Sequence, residues 1–171
     1  ITELLDKTMS ALDMARNLSG QLLTFAKGGS PVRKSASIAE LIKETSNFAF
    51  SGTNIAKQIA IPDTLWSGII DASQIGQVFN NLFVNAIQAM PNGGTLTIKA
   101  ENVTVLPGTR NVLPEGKYVK IDIKDTGNGI PHDQINRIFE PFYTTKKDGS
   151  GMGLSICYSI MKKHGGHITV E

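Results

Sequence analysis

Ser73-Gln-Ile-Gly-Gln-Val-Phe-Asn-Asn-Leu-Phe-Val-Asn-Ala-Ile-Gln-Ala-Met90 closes into an amphipathic helix when wound at about 100° per residue. Gln74, Gln77, Asn81, Asn85 and Gln88 fall within an arc of roughly 80°. Ile75, Val78, Phe79, Leu82, Phe83, Ala86, Ile87 and Met90 cover most of the remaining circumference; Val84 sits just outside the stripe, and Asn80 interrupts the apolar side. An ordinary solvated face mixes in Lys and Glu. Here no charged residue occurs between Asp71 and Lys99. Carboxamides satisfy a part-buried polar ligand, and their oxygens suit hard cations such as Mg²⁺. Asn81 and Asn85, one turn apart, point to the same place. An amide-rich, partly exposed stripe without function is the alternative.

Pro91-Asn92-Gly93-Gly94 ends this helix. Thr95 to Val105 and Lys117 to Asp125 then read as strands joined by a loop holding Pro107, Gly108 and Pro114. Upstream, Ser37 to Phe48 reads as a helix with Ser37 as its N-cap. Gln58 to Ile61 and Gly68 to Ile70 read as short strands around a turn. Downstream, Pro131 fits the first turn of a short helix through Phe139. Gly153 to His164 reads as a helix, and Gly165 to Glu171 as the start of a strand. Strands two in a row between helices predict an α+β sandwich and not a doubly wound sheet.

Ile1 to about Lys27 reads as one further helix. Leu4, Ala11, Leu18 and Phe25 repeat every seven residues, with Leu5, Leu12, Leu22 and Ala26 beside them. Such a seam needs covering, either by its own domain or, as we favour, within a helical bundle of which this helix is one hairpin arm, truncated or completed by a second chain.

The composition removes several classes. With 171 residues, 40% of them apolar, the chain supports one sizeable core. Lys and Arg number 17 against 15 Asp and Glu, a formal charge of +2, which argues against an electrostatic nucleic-acid binder. Apolar runs fall short of the roughly 20 residues of a membrane helix. The N-terminal residues show no secretory pattern, and the single Cys157 fits a reducing compartment. The expectation is a soluble, cytoplasmic domain.

In Lys117-Tyr-Val-Lys-Ile-Asp-Ile-Lys-Asp125, alternation puts Val119, Ile121, Ile123 and Asp125 on one face. A carboxylate ending a core-facing row needs a donor. Thr126-Gly127-Asn128-Gly129-Ile130-Pro131 follows, with glycines that permit close approach of a flat ligand. An exocyclic amine such as adenine's would serve; an Asx-type turn is the alternative. Further on, Asp148-Gly149-Ser150-Gly151-Met152-Gly153-Leu154 precedes a helix whose first amides would be free for a phosphate. It is neither a Walker A motif nor a dinucleotide fingerprint. Phe139-Glu-Pro-Phe142-Tyr-Thr-Thr145-Lys146 supplies aromatic anchors and a cation, and reads as a lid or, more simply, as a flexible surface loop.

In order and spacing these motifs resemble the ATP-binding domain of two-component sensor histidine kinases, a branch of the fold shared with gyrase, Hsp90 and MutL. Asn81-Leu-Phe-Val-Asn85-Ala resembles the N box, Asp125-Thr-Gly-Asn-Gly129 the G1 box, Phe139-Glu-Pro-Phe142 the F box and Gly149-Ser-Gly-Met-Gly153-Leu the G2 box. The resemblance covers roughly Ser37 to Glu171. It implies a two-layer α/β sandwich of the Bergerat type, with a mixed, mostly antiparallel sheet and helices on one face. Residues 31–171 would be the catalytic domain, missing its last strand, and 1–30 the second helix of the dimerisation and phosphotransfer hairpin.

The implied activity is protein-histidine kinase, with ATP and Mg²⁺ as cofactors. Asn85 would ligate Mg²⁺, and Asn81 would assist at the phosphates or a metal-bound water. Asp125 would accept from adenine, with Gly127, Gly129 and Ile130 lining the ring. Phe142, Thr145, Gly149, Ser150, Gly151, Met152, Gly153 and Leu154 would wrap the nucleotide, and Lys146 would balance phosphate charge. Implied partners are a phosphoacceptor helix of the same kinase, in cis or trans, and the receiver domain of a response regulator. The intact protein would be a homodimer, possible membrane anchoring of the parent being left open, and no nucleic acid is implied. Two positions depart from the family's pattern. Asn81 stands where ATP-hydrolysing relatives carry a glutamate base, and Gln88 where many histidine kinases carry a basic residue, weakening one phosphate contact.

None of the three histidines fits the phosphoacceptor, so the acceptor would lie elsewhere. His132 reads as surface, and His164 and His167 flank a helix end where a cation suits the dipole. Cys157 reads as core. The alternatives are a non-catalytic ATP-binding module that gates a partner, or an ATPase or serine kinase of the same fold.

Overall fold

The structure is a computed structural model that describes residues 30–108, 112–146 and 149–171. The expected N-terminal helix and the heptad seam that suggested a dimer lie outside the described residues. In chain order the elements are β1 (Lys34–Ala36), α1 (Ile38–Ala49), β2 (Ile55–Ala60), β3 (Gly68–Ile70), α2 (Ala72–Ala89), β4 (Gly94–Val105), β5 (Gly116–Asp125) and α3 (Gly153–Lys163). The fold is α+β, as expected.

β2 runs parallel to β4, and β4 runs antiparallel to β5. β1 and β3 form a separate antiparallel pair. Leu96, Ile98 and Ala100 of β4 are buried, while Lys99 and Glu101, on the opposite face, are exposed to solvent. On β5, Ile121 and Ile123 pack on the core; Lys120 reaches Asp122 at 2.9 Å and Glu101 at 3.4 Å on the wet side. Helices supply the rest of the core: Ile42 of α1, Phe79 and Phe83 of α2, and Ile156 and Cys157 of α3 are fully or nearly fully buried. Phe83 meets Phe50 edge-on at 5.5 Å and stacks on Phe79 at 6.1 Å. Each such ring contributes about 1.5–3 kcal/mol by leaving water.

The caps follow the sequence closely. Ser37 Oγ accepts from the Glu40 N–H at 3.2 Å, as expected for its helix start. Asp71 caps α2: Oδ1 accepts from the N–H groups of Ser73 (3.1 Å) and Gln74 (3.2 Å), and Oδ2 from Val32 (3.0 Å). α3 closes with a Schellman arrangement, Gly166 N–H to Met161 and Gly165 N–H to Lys162, with Gly165 at φ +70°. His164 then joins the two helices. Its Nε2 accepts from the Asp71 N–H at 3.1 Å, and its Nδ1 lies 2.9 Å from Ile160 O.

Three expectations are corrected. β2 and β3 do not pair with each other, because the segment between them is held across β4. Asn102 on β4 accepts from Trp66 N–H and donates to Thr64 O, both at 2.9 Å. Residues 132–139 form successive turns instead of a helix. Their bonds, Gln134 to Pro131, Arg137 to Gln134 and Glu140 to Arg137, skip the continuous ladder that so short a helix would need. Buried Ile138 and the Phe139–Tyr158 contact at 5.6 Å anchor them instead. Residues 166–171 carry no sheet ladder among the described residues. The turn at Gly165 sends Ile168 onto the core cluster and not to a strand edge. β1, which sequence reading missed, is three residues without alternation.

Candidate functional site

The C-terminal half of α2, the end of β5 and the loop leading into α3 converge. Asp125 is half-buried opposite Leu96 at the end of the core-facing row. Its Oδ1 accepts from the Gly127 N–H at 2.8 Å, so the Asx-type turn forms. Its Oδ2 makes no hydrogen bond among the described residues and stays available to another donor.

Gly127 presses on the end of α2. A Cβ there would stand 2.6 Å from Ala89 Cβ, 2.7 Å from Ala89 O and 2.8 Å from Asp125 Oδ1, so the position excludes side chains. Thr126 Oγ1 accepts from Thr95 N–H at 3.0 Å and donates to Met90 Sδ at 3.6 Å, which fixes the same corner. Gly129 and Ile130 follow at the surface with open space around Gly129.

On the polar stripe of α2, Lys146 arrives from the loop. Its Nζ donates to Asn85 Oδ1 at 2.9 Å and to Gln88 Oε1 at 2.6 Å. Burial pulls the Lys146 ammonium below the ordinary lysine range. One turn back, Asn81 Nδ2 donates to Gly153 O at 3.2 Å, at the opening of α3. Met152 is the N-cap of α3 and supplies no side-chain hydrogen bond to the first turn. Below this level Cys157 is fully buried with Sγ 3.7 Å from Val78 O, core as expected. Burial pushes its thiol up to about 12.

The glycine-rich loop is shaped by close backbone approaches. A Cβ on Gly149 would stand 2.4 Å from Thr144 Oγ1, which also accepts from Lys146 N–H at 3.1 Å. Ser150 Oγ accepts from the N–H of buried Met152 at 3.4 Å. Gly151, at φ +67°, lies against the backbone of Phe142, itself at φ +66° with a 65% exposed ring. Arg137 braces the segment, stacking over Tyr143 at 4.4 Å and reaching Glu140 at 3.3 Å. Thr145 is exposed and Leu154 half-buried.

Asn81, Asn85, Lys146 and Gly153 thus meet at one end of the site, and Asp125 and Gly127 sit at the C-terminal end of the same helix. Gln88 is the residue that sequence reading undervalued. Its place on the stripe, three residues after Asn85, was the available signal, but its partner lies 58 residues away in the chain.

The family model described as "Histidine kinase-, DNA gyrase B-, and HSP90-like ATPase" matches residues 70–171. The sensor kinase CckA of Brucella abortus is 43% identical over 122 residues, 68% of this chain and 13% of that protein. The solved structure of a mycobacterial sensor histidine kinase, MprB, superposes with TM-score 0.64 at 27% identity, covering 78% of this chain and 81% of that one. Histidine kinase ThkA, solved in complex with the response regulator protein TrrA, shares the fold at TM-score 0.68 and 24% identity over 92% of this chain and 43% of that one. With the Asp125–Gly127 corner, the amide stripe and the glycine loop all inside the matched span, the chain belongs to the histidine kinase-, DNA gyrase B- and HSP90-like ATPase family. Its curated relatives include sensor kinases far longer than itself, and among the described residues no helix is long and apolar enough to cross a membrane.

Proposed function

We propose that this chain is the ATP-binding catalytic part of a sensor histidine kinase. It binds Mg·ATP and hands the γ-phosphoryl group to a histidine on a dimerisation helix, for relay to a response regulator. Residues 31–171 are the catalytic domain in this reading, and 1–30 belong to the hairpin of a homodimeric, cytoplasmic kinase module. Kinship with CckA and the ThkA–TrrA complex supports the activity and the receiver-domain partner. One observation carries the nucleotide reading: the Asn85 and Gln88 amide oxygens hold a cation, Lys146 Nζ, beside the uncapped start of α3.

The donor set fits Mg²⁺. Asn85 Oδ1 is a hard oxygen that already accepts from a positive group, and Mg²⁺ takes few protein ligands beside waters and phosphate oxygens. When bound, the ion neutralises charge on the phosphates. Asn85 would hold it, with Asn81 beside the phosphates. Lys146 balances the remaining charge, and the first N–H groups of α3 at Gly153 and Leu154 face the chain of phosphates. Gly149, Ser150, Gly151 and Met152 shape the loop, with Phe142 and Thr145 at its rim. The free Asp125 oxygen accepts the adenine amine over Gly127, with Gly129 and Ile130 at the ring edge. Chemistry of this kind is positioning and charge neutralisation, so no protein nucleophile is required.

Titrating Mg·ATP against wild type and Asn85→Ala tests the assignment. Metal-dependent affinity should fall about tenfold or more in the variant; equal affinity removes Asn85 from the metal role.

A further inference from the structure

Gln88 and Asn85 sit one turn apart on a helix anchored through the core, and both oxygens take protons from one ammonium. Lys146 comes from a loop, and a lysine held at two points loses much rotamer freedom. Such a residue is placed only where something fixed receives it. Among the described residues no carboxylate pairs with Lys146, so its two partners are neutral. That distinction has a chemical consequence. A carboxylate would cancel the lysine's charge and repel an approaching phosphate, whereas an amide orients the ammonium and leaves its charge unspent. Exposed to solvent and held, among the described residues, by two neutral amides, the cation is arranged for an anion that is not part of the protein.

We propose that Gln88 is the positioning residue for Lys146, aiming its ammonium at the terminal phosphate of the bound nucleotide. The cation is delivered from the loop, with Gln88 as its receiver. Gln88 would then supply a phosphate contact through a second residue. The inference rests on the nucleotide reading above and deepens it.

Equilibrium binding of ATP and of ADP, each with Mg²⁺, to the full 171-residue chain tests it. Lys146→Met should weaken ATP about tenfold, the size of one lost charge-assisted hydrogen bond, and ADP much less. Gln88→Leu should reproduce most of that loss and the same preference for ATP over ADP. The double variant should be no worse than Lys146→Met alone, because the two residues act as one unit. The transposed pair, Gln88→Lys with Lys146→Gln, should restore the ATP preference. Additive penalties, or a Gln88→Leu loss equal for ATP and ADP, overturn the positioning role and leave the nucleotide reading standing. Failure of the transposed pair to recover any ATP preference also overturns it. A wild-type chain that binds neither nucleotide removes both.

Discussion

Phe142 and Gly151 lie backbone to backbone, and both adopt the left-handed region, at φ +66° and +67°. A Cβ on Gly151 would stand 2.4 Å from the Phe142 carbonyl carbon and 2.6 Å from its oxygen. For Phe142 the conformation carries strain of roughly 1–3 kcal/mol, which the surrounding contacts must offset. Gly151→Ala therefore forces the two segments apart. We expect a loss of about 2 kcal/mol or more in urea unfolding, together with weakened ATP binding. Unchanged unfolding midpoints would refute the contact.

Gly127 faces the end of α2 just as closely. Gly127→Ala should destabilise the corner by about 1–3 kcal/mol through overpacking. Adding Ala89→Gly removes the Cβ that stands at 2.6 Å but leaves the carbonyl at 2.7 Å. Rescue should accordingly be partial. Thermal unfolding of the two single variants and the double variant measures it, and full rescue would show that the carbonyl yields freely.

Asp71 makes stability depend on pH. Burial works to raise its carboxyl, but hydrogen bonds from the Gln74, Val32 and Ser73 N–H groups, with His164 nearby, leave it below its ordinary value. A depressed folded-state pKa gives stabilisation that is complete above the unfolded value of about 4 and is lost as pH falls through the folded one. Asp71→Asn should lower stability at pH 7 and lose most of that difference near pH 2. Urea midpoints of the two proteins at both pH values provide the check. A gap that widens in acid contradicts this account.

Cys157 should behave as an inert thiol. With its group pushed up to about 12 by burial, it presents almost no thiolate at pH 8. A colorimetric disulfide reagent should react with it only after denaturant opens the core. Stoichiometric reaction within minutes on the native chain would place the sulfur nearer the surface than its burial states.

Much of this was legible in one dimension because the relevant forces are local. The amide stripe of α2 follows from 3.6-residue periodicity, and the Asp125 row from strand alternation. Ser37 could be named as a cap from its hydroxyl and position alone. What escaped depended on partners distant in sequence. Whether 58–61 and 68–70 formed a hairpin was decided by Asn102, which holds the segment between them. The turns after Pro131 owe their shape to Ile138 finding the core, and His164 is an acceptor because α2 begins beside it. Gln88 belonged to a recognisable stripe, yet its use rests on a lysine from another part of the chain.

The helices that frame the site are fastened at three levels. Asn81 meets Gly153 at the mouth, Val78 meets Cys157 midway, and Asp71 meets His164 at the far end, across 93 residues of chain. A pair so joined works like tongs riveted at the handle. Any widening at the mouth must pivot on that remote imidazole, which makes His164 a fulcrum for jaws it never touches.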